Sequence, residues 1–241
     1  MTKQPFQKLW PNGPEYHAGS SFPLSTDSIL LADFAMIHKN DRVLDLGCGS
    51  GILGLLLLTR EPSLQLTNLD IQQDAIKTAR ENLSHNSFND AAFICDDLCN
   101  IRSLLLGNSF DAVISNPPYY AEKQGLASPE QSRSVARSDS SCSISELCSS
   151  AAFALRSGGS LFLSFKPNRM TELFRVMAEN RIEPKRLRLV QHSTDHKPGL
   201  ILVEGRLDGH MGLTVDPSLI LYQGDEMTAE AKRIYHIEEE S

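Results

Sequence analysis

Short apolar runs alternate with amphipathic stretches over most of this chain. Leu30, Phe34 and Ile37 share one side of a predicted helix over 26–37, which Ser25 or Thr26 can cap. Residues 42–46 form a compact apolar strand with glycines directly behind it, and 52–58 read as a helix buried on most sides. A second strand is predicted over 64–70. An amphipathic helix over 73–83 follows, with Ala75, Ile76, Ala79 and Leu83 inward. Residues 91–95 and 110–115 are the third and fourth strands.

After Tyr120 the pattern stops. Residues 121–141 are polar, rich in Ser and Gln, and carry Arg133 and Arg137; loops of this length in compact domains usually serve function or motion. The capping box Ser143-Ile144-Ser145-Glu146 opens a helix that Gly158-Gly159 should end. Residues 160–165 read as a fifth strand and 168–180 as a helix with Met170, Leu173, Phe174 and Met177 inward. The last strands are predicted over 186–191 and 200–205, and the charged tail from Asp225 as a short helix or frayed end. Strands alternating with helices imply an α/β fold with a doubly wound, mostly parallel sheet. With no repeat and no Pro/Gly-rich linker, the expectation is one domain: a leading segment 1–40, a core 41–206 and a C-terminal extension 207–241.

Composition narrows the classes. At 241 residues, 41% hydrophobic and 22% charged, the chain is of ordinary globular make-up and large enough for a substantial core. Its longest apolar run, 52–58, is far short of the ~18 residues that span a bilayer, and the first residues are polar. A soluble, cytoplasmic protein with no membrane partner is the expectation. The five cysteines, Cys48, Cys95, Cys99, Cys142 and Cys148, are odd in number and contain no C-x-x-C pair, which argues against disulfides and structural zinc. His192 and His196 could share a helix face, but Pro198-Gly199 follows at once; a polar loop fits better, and no metal is expected. The net charge of −7 disfavours avid nonspecific binding to nucleic acid. Lys166, Arg169, Arg175, Arg181, Lys185, Arg186 and Arg188 nonetheless fall close together, interleaved with Glu172, Glu179 and Glu183. A solvated face and a phosphate-contacting patch are both open readings of that stretch.

Two segments carry chemistry. Val43 to Gly51 reads V-L-D-L-G-C-G-S-G, and its three alternating glycines let the backbone wrap closely round a ligand at the carboxyl edge of the sheet. A dinucleotide fingerprint would need glycine where Ile52 stands, a bulky residue that opposes close helix–strand packing there. Asp70, at the end of the second strand, can accept hydrogen bonds from both hydroxyls of a ribose. Asp96 and Asp97 end the third strand and, read alone, form an N-cap pair. Asn116-Pro117-Pro118-Tyr119 closes the fourth strand. An amino group conjugated to a ring or carbonyl is a poor nucleophile because its lone pair is delocalised. Hydrogen bonds from its two N–H groups to the Asn116 side-chain oxygen and the Pro117 carbonyl would free that lone pair. Proline lacks a competing N–H and fixes φ. Tyr119 offers a flat apolar face, and Phe22 and Tyr120 could supply a second wall. No tuned general base is required; positioning and electrostatics suffice.

The D-x-G-x-G-x-G turn resembles the first motif of class I methyltransferases, and N-P-P-Y resembles the corner of amino-methyltransferases. Two branches share it, one acting on a glutamine of translation release factors, the other the bacterial tRNA(Val) adenine-37 N6-methyltransferases. The second resemblance covers nearly the whole chain. Phe22 to Ala32 is similar to the segment that closes over the cofactor in that family. Ala136-Arg137 resembles the segment after its catalytic loop, although Ser138 and Asp139 stand where the family usually has His and Glu. Phe165 to Met170, Glu183 to Arg188 and His196 to Gly199 resemble later parts. Release-factor enzymes typically carry an extra N-terminal helical domain, for which the forty residues before the first strand leave little room.

The resemblance implies a Rossmann-like, seven-stranded sheet with an antiparallel last strand. It implies S-adenosylmethionine as cofactor, S-adenosylhomocysteine as product, and tRNA as substrate. The cofactor would lie against Thr26, Asp45, Gly47, Cys48, Gly49, Gly51, Asp70, Ile71, Asp96, Asp97 and Asn116. The catalytic corner would be Asn116, Pro117, Pro118 and Tyr119. Methylation of a release-factor glutamine, or a non-catalytic RNA-binding module on the same fold, remain alternatives; a monomer is the default assembly.

Overall fold

The computed structural model describes residues 5–19, 24, 26–117 and 143–237. Ser25, Phe22, Pro118, Tyr119, Tyr120 and the 121–141 loop, with Arg133 and Ala136 to Asp139, lie outside the described residues.

The chain starts with a small hairpin, β1 (Gln7–Lys8) and β2 (Glu15–Tyr16), then α1 (Thr26–Phe34), β3 (Arg42–Leu46), α2 (Ile52–Arg60), β4 (Gln65–Asp70), α3 (Gln73–His85) and β5 (Ala92–Cys95). A 3-10 turn (Leu98–Asn100) and the short α4 (Ile101–Leu104) lead to β6 (Phe110–Ser115). Beyond the undescribed loop come α5 (Ile144–Ala154), β7 (Leu155–Phe165), α6 (Met170–Glu179), β8 (Ile182–Gln191) and β9 (Leu200–Leu207). The short strands β10 (Thr214–Val215), β11 (Leu219–Ile220), β12 (Tyr222–Gln223) and β13 (Glu226–Met227) and helix α7 (Ala229–Ile234) follow.

The main sheet runs β10-β8-β9-β7-β6-β3-β4-β5, with β11 also on β8. The seven long strands match the expected set, and β9 is antiparallel to both β7 and β8. The count is nine rather than seven because β10 and β11, two residues each, add along β8 in parallel. From β3 the chain steps outward to β4 and β5, then crosses back to β6 on the other side of β3. That reversal opens a crevice at the carboxyl ends of β3 and β6.

Strand alternation builds two cores. Val43, Ala112, Ile114, Phe162, Leu200 and Leu202 face one, covered by α1 and α2. Leu44, Leu46, Val113, Leu161, Leu163, Ile201 and Val203 face the other, under α5 and α6. Side chains one residue apart on a strand point to opposite faces, so a single apolar run feeds both layers. Among the described residues no helix is long and apolar enough to cross a membrane.

Several boundaries differ from expectation, β8 for instance starting at Ile182 rather than Arg186, and two of them have a clear physical cause. Helix α1 stops at Phe34 rather than Ile37, and arginines from elsewhere take its last carbonyls. The Arg60 guanidinium donates to Ala32 O and Ala35 O, both at 2.6 Å, and Arg186 donates to Phe34 O at 2.6 Å. Cations there also complement the negative end of the helix dipole. Helix α5 ends at Ala154, before the glycines, and Leu155 already pairs with Phe110. Gly158 (φ +79°) and Gly159 instead serve a bulge, where a Cβ on Gly159 would sit 3.0 Å from Asp111 O.

The leading hairpin is fastened to α3. Asn82, fully buried, accepts from His17 N–H at 3.0 Å and donates to His17 O at 3.0 Å and Ser50 O at 2.9 Å. Asn86 exchanges two further bonds with Glu15, at 2.9 and 2.7 Å. Replacing Asn82 with alanine leaves those buried partners unpaired and is expected to cost about 2–4 kcal/mol. The thermal midpoint should fall by about 5–10 °C. An unchanged melting curve would show that the hairpin is not held this way.

Candidate active site

The glycine turn begins where β3 ends. Gly47, Gly49 and Gly51 have φ of 73°, 54° and 76°, a region that side chains with a Cβ rarely enter. Leu69 O accepts from both Gly47 N–H (2.8 Å) and Cys48 N–H (3.1 Å), tying the turn to the end of β4. Asp70 completes the tie, with Oδ2 accepting from Gly49 N–H and Oδ1 from Gln72 N–H, each at 2.9 Å. A Cβ on Gly47 would meet nothing within 4 Å, so the turn faces open space there. Close packing is supplied elsewhere. A Cβ on Gly51 would lie 2.8 Å from Ala79 Cβ, and one on Gly54 2.5 Å from Leu66 Cδ2. The bulk of Ile52 therefore does not hold α2 away from the sheet; Gly54 makes the contact.

Asp45 sits in mid-sheet beside this turn, fully buried, and neither carboxylate oxygen has a hydrogen-bond partner. Burial first, and the nearby Asp70 carboxylate second, push its carboxyl up to about 8, against a smaller pull from the Gly54 amide. The Cys48 thiol is also driven well above its ordinary range, by burial and then by Asp45 and Asp70, so it is no thiolate nucleophile.

Asp97 caps the 3-10 turn after β5, and Asp96 braces it from the side. Asp97 Oδ1 accepts from Cys99 N–H at 2.9 Å, while Asp96 Oδ1 accepts from Asp97 N–H at 2.7 Å and Asn100 Nδ2 at 2.8 Å. The Asp96 amide in turn donates to Asp70 O at 3.1 Å, so this pair lies beside the Asp70 end of the crevice. Ile71 follows Asp70 and is 42% exposed, an apolar surface at the same edge. Thr26, the first residue of α1, lies close to the Tyr235 side chain at the end of the C-terminal helix.

On the other side of β3, the register Asp45↔Ile114 and a 2.6 Å bond from Ser115 Oγ to Leu46 O bring the end of β6 against the glycine turn. Asn116 is the next residue. Its Nδ2 donates to Ser28 Oγ at 2.9 Å and its Oδ1 accepts from Ser164 Oγ at 2.5 Å. Pro117 follows, half-buried, and marks the end of the described segment.

The basic stretch is largely spent on internal partners. Arg169 pairs with Glu172, Arg175 with Glu179, Arg181 with Asp208, Arg186 with Glu204 and Arg188 with Glu230. Lys185 donates to His210 O. It is an ion-paired surface rather than an open row of cations for phosphate. His192 and His196 lie in the loop between β8 and β9, edge to face at 5.2 Å, and among the described residues no group of three or more potential ligands could hold a metal.

Sequence reasoning missed several residues that shape the site. Tyr16 reaches Ser50 in the glycine turn, hydroxyl to hydroxyl at 2.5 Å, and Asn82 holds the Ser50 carbonyl. Ser28 and Ser164 hold Asn116. Their one signal was polarity at positions where the helical or strand pattern calls for an apolar side chain, as in Leu161-Phe162-Leu163-Ser164-Phe165.

Similarity to known proteins agrees with this geometry. The family model for the methyltransferase small domain matches residues 25–180, more than half of the chain. A tRNA1(Val) (adenine(37)-N6)-methyltransferase of Porphyromonas gingivalis is 30% identical over 195 residues, covering 78% of this chain and 76% of that protein. One from Parabacteroides distasonis is 26% identical over 189 residues, covering 78% of each. Among solved structures, a predicted O-methyltransferase of Agrobacterium tumefaciens superposes with a TM-score of 0.72 at 21% identity, over 88% of this chain and 96% of that one. At that identity the likeness speaks for the fold alone. With its glycine turn and Asn116 corner at one crevice, the chain belongs to the methyltransferase small domain family and, within it, to that of the tRNA1(Val) (adenine(37)-N6)-methyltransferases.

Proposed function

We propose that this protein transfers the methyl group of S-adenosylmethionine to the N6 amino group of an adenine in tRNA, adenine 37 of a valine tRNA. The observation that carries this reading is the parallel pairing of β3 with β6, which sets Asn116 against the glycine turn. A donor held by one is within reach of an acceptor gripped by the other.

The residues present fit the cofactor. Asp45 is a buried carboxylate without a partner, suited to the ammonium of an amino acid moiety, and the open space at Gly47 suits a ligand pressed on the backbone. Gly47, Cys48, Gly49 and Gly51 would line the methionine and ribose. Asp70 would accept the ribose hydroxyls with the lone pairs that its two amide bonds leave. Ile71 would pack on the adenine, and Asp97, with Asp96, would meet its amino group. Thr26 would close that site from α1. Bound there, the cofactor supplies an electrophilic methyl group on a positively charged sulfur.

The chain's own part is to grip and orient the nucleophile. Asn116 Oδ1 and the Pro117 carbonyl accept the two N–H groups of the target, which turns its lone pair out of conjugation and toward the methyl group. From the sequence, Pro118 would stiffen the corner and Tyr119 would stack on the base. A base in an anticodon loop is already outside a duplex, so turning it into a pocket costs a few kcal/mol or less.

Incubation with labelled S-adenosylmethionine and unmodified bacterial tRNA, followed by digestion to nucleosides, is expected to yield N6-methyladenosine. Asn116→Ala should lower the transfer rate by about a hundredfold or more with cofactor affinity retained. Label in a release-factor glutamine and none in tRNA would replace the substrate. RNA binding without transfer to either would remove the catalytic reading.

Asp45 adds a pH signature. Its folded carboxyl titrates near 8 and its unfolded one near 3.8, so between those values the folded protein keeps a proton that the unfolded chain has lost. Stability of the ligand-free protein should therefore fall as pH rises through that window and level off above it. Asp45→Asn should melt about 5 °C or more above wild type at pH 8, with the gap closing toward pH 4. Saturating cofactor should narrow the gap at pH 8 by about 3–6 °C, because the substitution weakens cofactor binding by about tenfold, ~1.4 kcal/mol. Parallel melting curves of the two proteins at every pH would overturn this account of Asp45.

A further inference from the structure

Asp45 has a neighbour in the same condition. Asn68, on β4, is also fully buried, and among the described residues neither its Oδ1 nor the Asp45 carboxylate oxygens have a hydrogen-bond partner. Parallel pairing of β3 and β4 sets Asp45 opposite Asn68. Two residues earlier on the same strands, Val43 and Leu66 face the core under α1 and α2, so Asp45 and Asn68 share that face. The amide of Asn68 is oriented. Its Nδ2 donates to Ala92 O on β5 at 3.2 Å, which turns Oδ1 away from β5. A Cβ on Gly54 would lie 3.1 Å from that oxygen, and the Gly54 amide is turned toward the Asp45 carboxylate. Two acceptors therefore converge on one glycine of α2. An amide oxygen has no proton to give, and an ionised carboxylate has none either. A proton on Asp45 supplies the missing donor to both.

From this geometry we propose that Asn68 belongs to the cofactor site: in the free protein its side-chain oxygen accepts a hydrogen bond from a protonated Asp45 carboxyl, and cofactor binding expels that proton. The carboxyl O–H bond breaks, the proton passes to water or buffer, and the carboxylate pairs with the ammonium of the cofactor's amino acid moiety, which keeps its own protons. The inference rests on the proposed cofactor site for the ligand, and on the geometry alone for the shared proton. The surroundings favour it. Asp70 on β4 and the Cys48 thiol of the turn are the titratable groups facing Asp45, and neither brings positive charge. Helix α2 presents apolar residues from Ile52 to Leu58, and β6 sets Ile114 opposite Asp45. Burial, and after it Asp70, hold the carboxyl up at about 8. Cofactor should therefore bind more weakly as pH falls below that value, since the proton must leave first.

The test uses the full chain with S-adenosylhomocysteine, which has the same amino acid group and no methyl to transfer. Calorimetry near pH 6.5 in buffers of different ionisation enthalpy is expected to show about one proton released per molecule bound to wild type, and none for Asp45→Asn. Wild-type affinity should rise roughly fiftyfold between about pH 6 and pH 8, while that of Asp45→Asn stays flat. A spectroscopic measurement reaches Asn68 itself. Infrared difference spectra of ligand-free wild type against Asp45→Asn should show a carboxylic acid carbonyl band that S-adenosylhomocysteine abolishes. In Asn68→Leu the band should move to higher frequency, because the O–H has lost its acceptor; an asparagine with a merely structural role would leave it in place. A carboxylate band in the free wild type, binding without proton release, or a band unmoved in Asn68→Leu would each overturn the proposal. Protein that takes up no S-adenosylhomocysteine would sink the cofactor site and the release step with it, whereas the band and its shift would still uphold the shared proton. Should Asn68→Leu fail to fold, Asn68→Val, smaller and suited to a strand, carries the same test.

Discussion

Strands β3 and β6 lie parallel and adjacent, with Asp45 opposite Ile114 and the Ser115 hydroxyl bonded to the Leu46 carbonyl. One strand then dissolves into a glycine turn and the other into the Asn116 corner at the same level of the sheet. A slip of register would carry one of them away from the other and turn every core side chain on the moving strand to the wrong face. The apolar packing on both faces of the sheet therefore sets the distance between the two halves of the site.

Around that pairing, the site trades local comfort for readiness. Three glycines hold left-handed conformations, a carboxylate is buried without a donor, and a thiol is kept protonated. Strain and unpartnered polar groups of this kind persist only where the surroundings over-determine them. The surroundings here are specific: Leu69 O and Asp70 from β4, Asn82 from α3, and Tyr16 from the leading hairpin. A ligand that brings positive charge to Asp45 relieves a cost that the described residues leave standing.

The order of elements was legible in the sequence because each long strand is an apolar run bounded by glycine, proline or polar residues, and each helix a 3.6-residue pattern. Asp45, Asp70 and Asn116 were legible because strand ends in a doubly wound fold all meet at one edge. Polar residues that act through another residue were not legible: Ser28, Ser50, Asn82 and Ser164 make contacts 32 to 88 positions away, and spacing carries no signal for them. Local patterning also misjudged the glycines at 158 and 159, which look like a helix stop and serve a bulge against β6. The cluster of arginines left two readings open for the same reason, since their acidic partners Asp208, Glu204 and Glu230 lie on later elements.

The fastening of the leading hairpin to α3 has a consequence for how the chain is made. Glu15, Tyr16 and His17 are synthesised early, yet their partners Asn82 and Asn86 come some seventy residues later, and Ser50 in between. During translation the hairpin must wait, unattached, until α3 has left the ribosome. The turn that Ser50 belongs to gains its Asn82 brace only then, so the cradle is completed by an earlier segment and a later helix meeting across it.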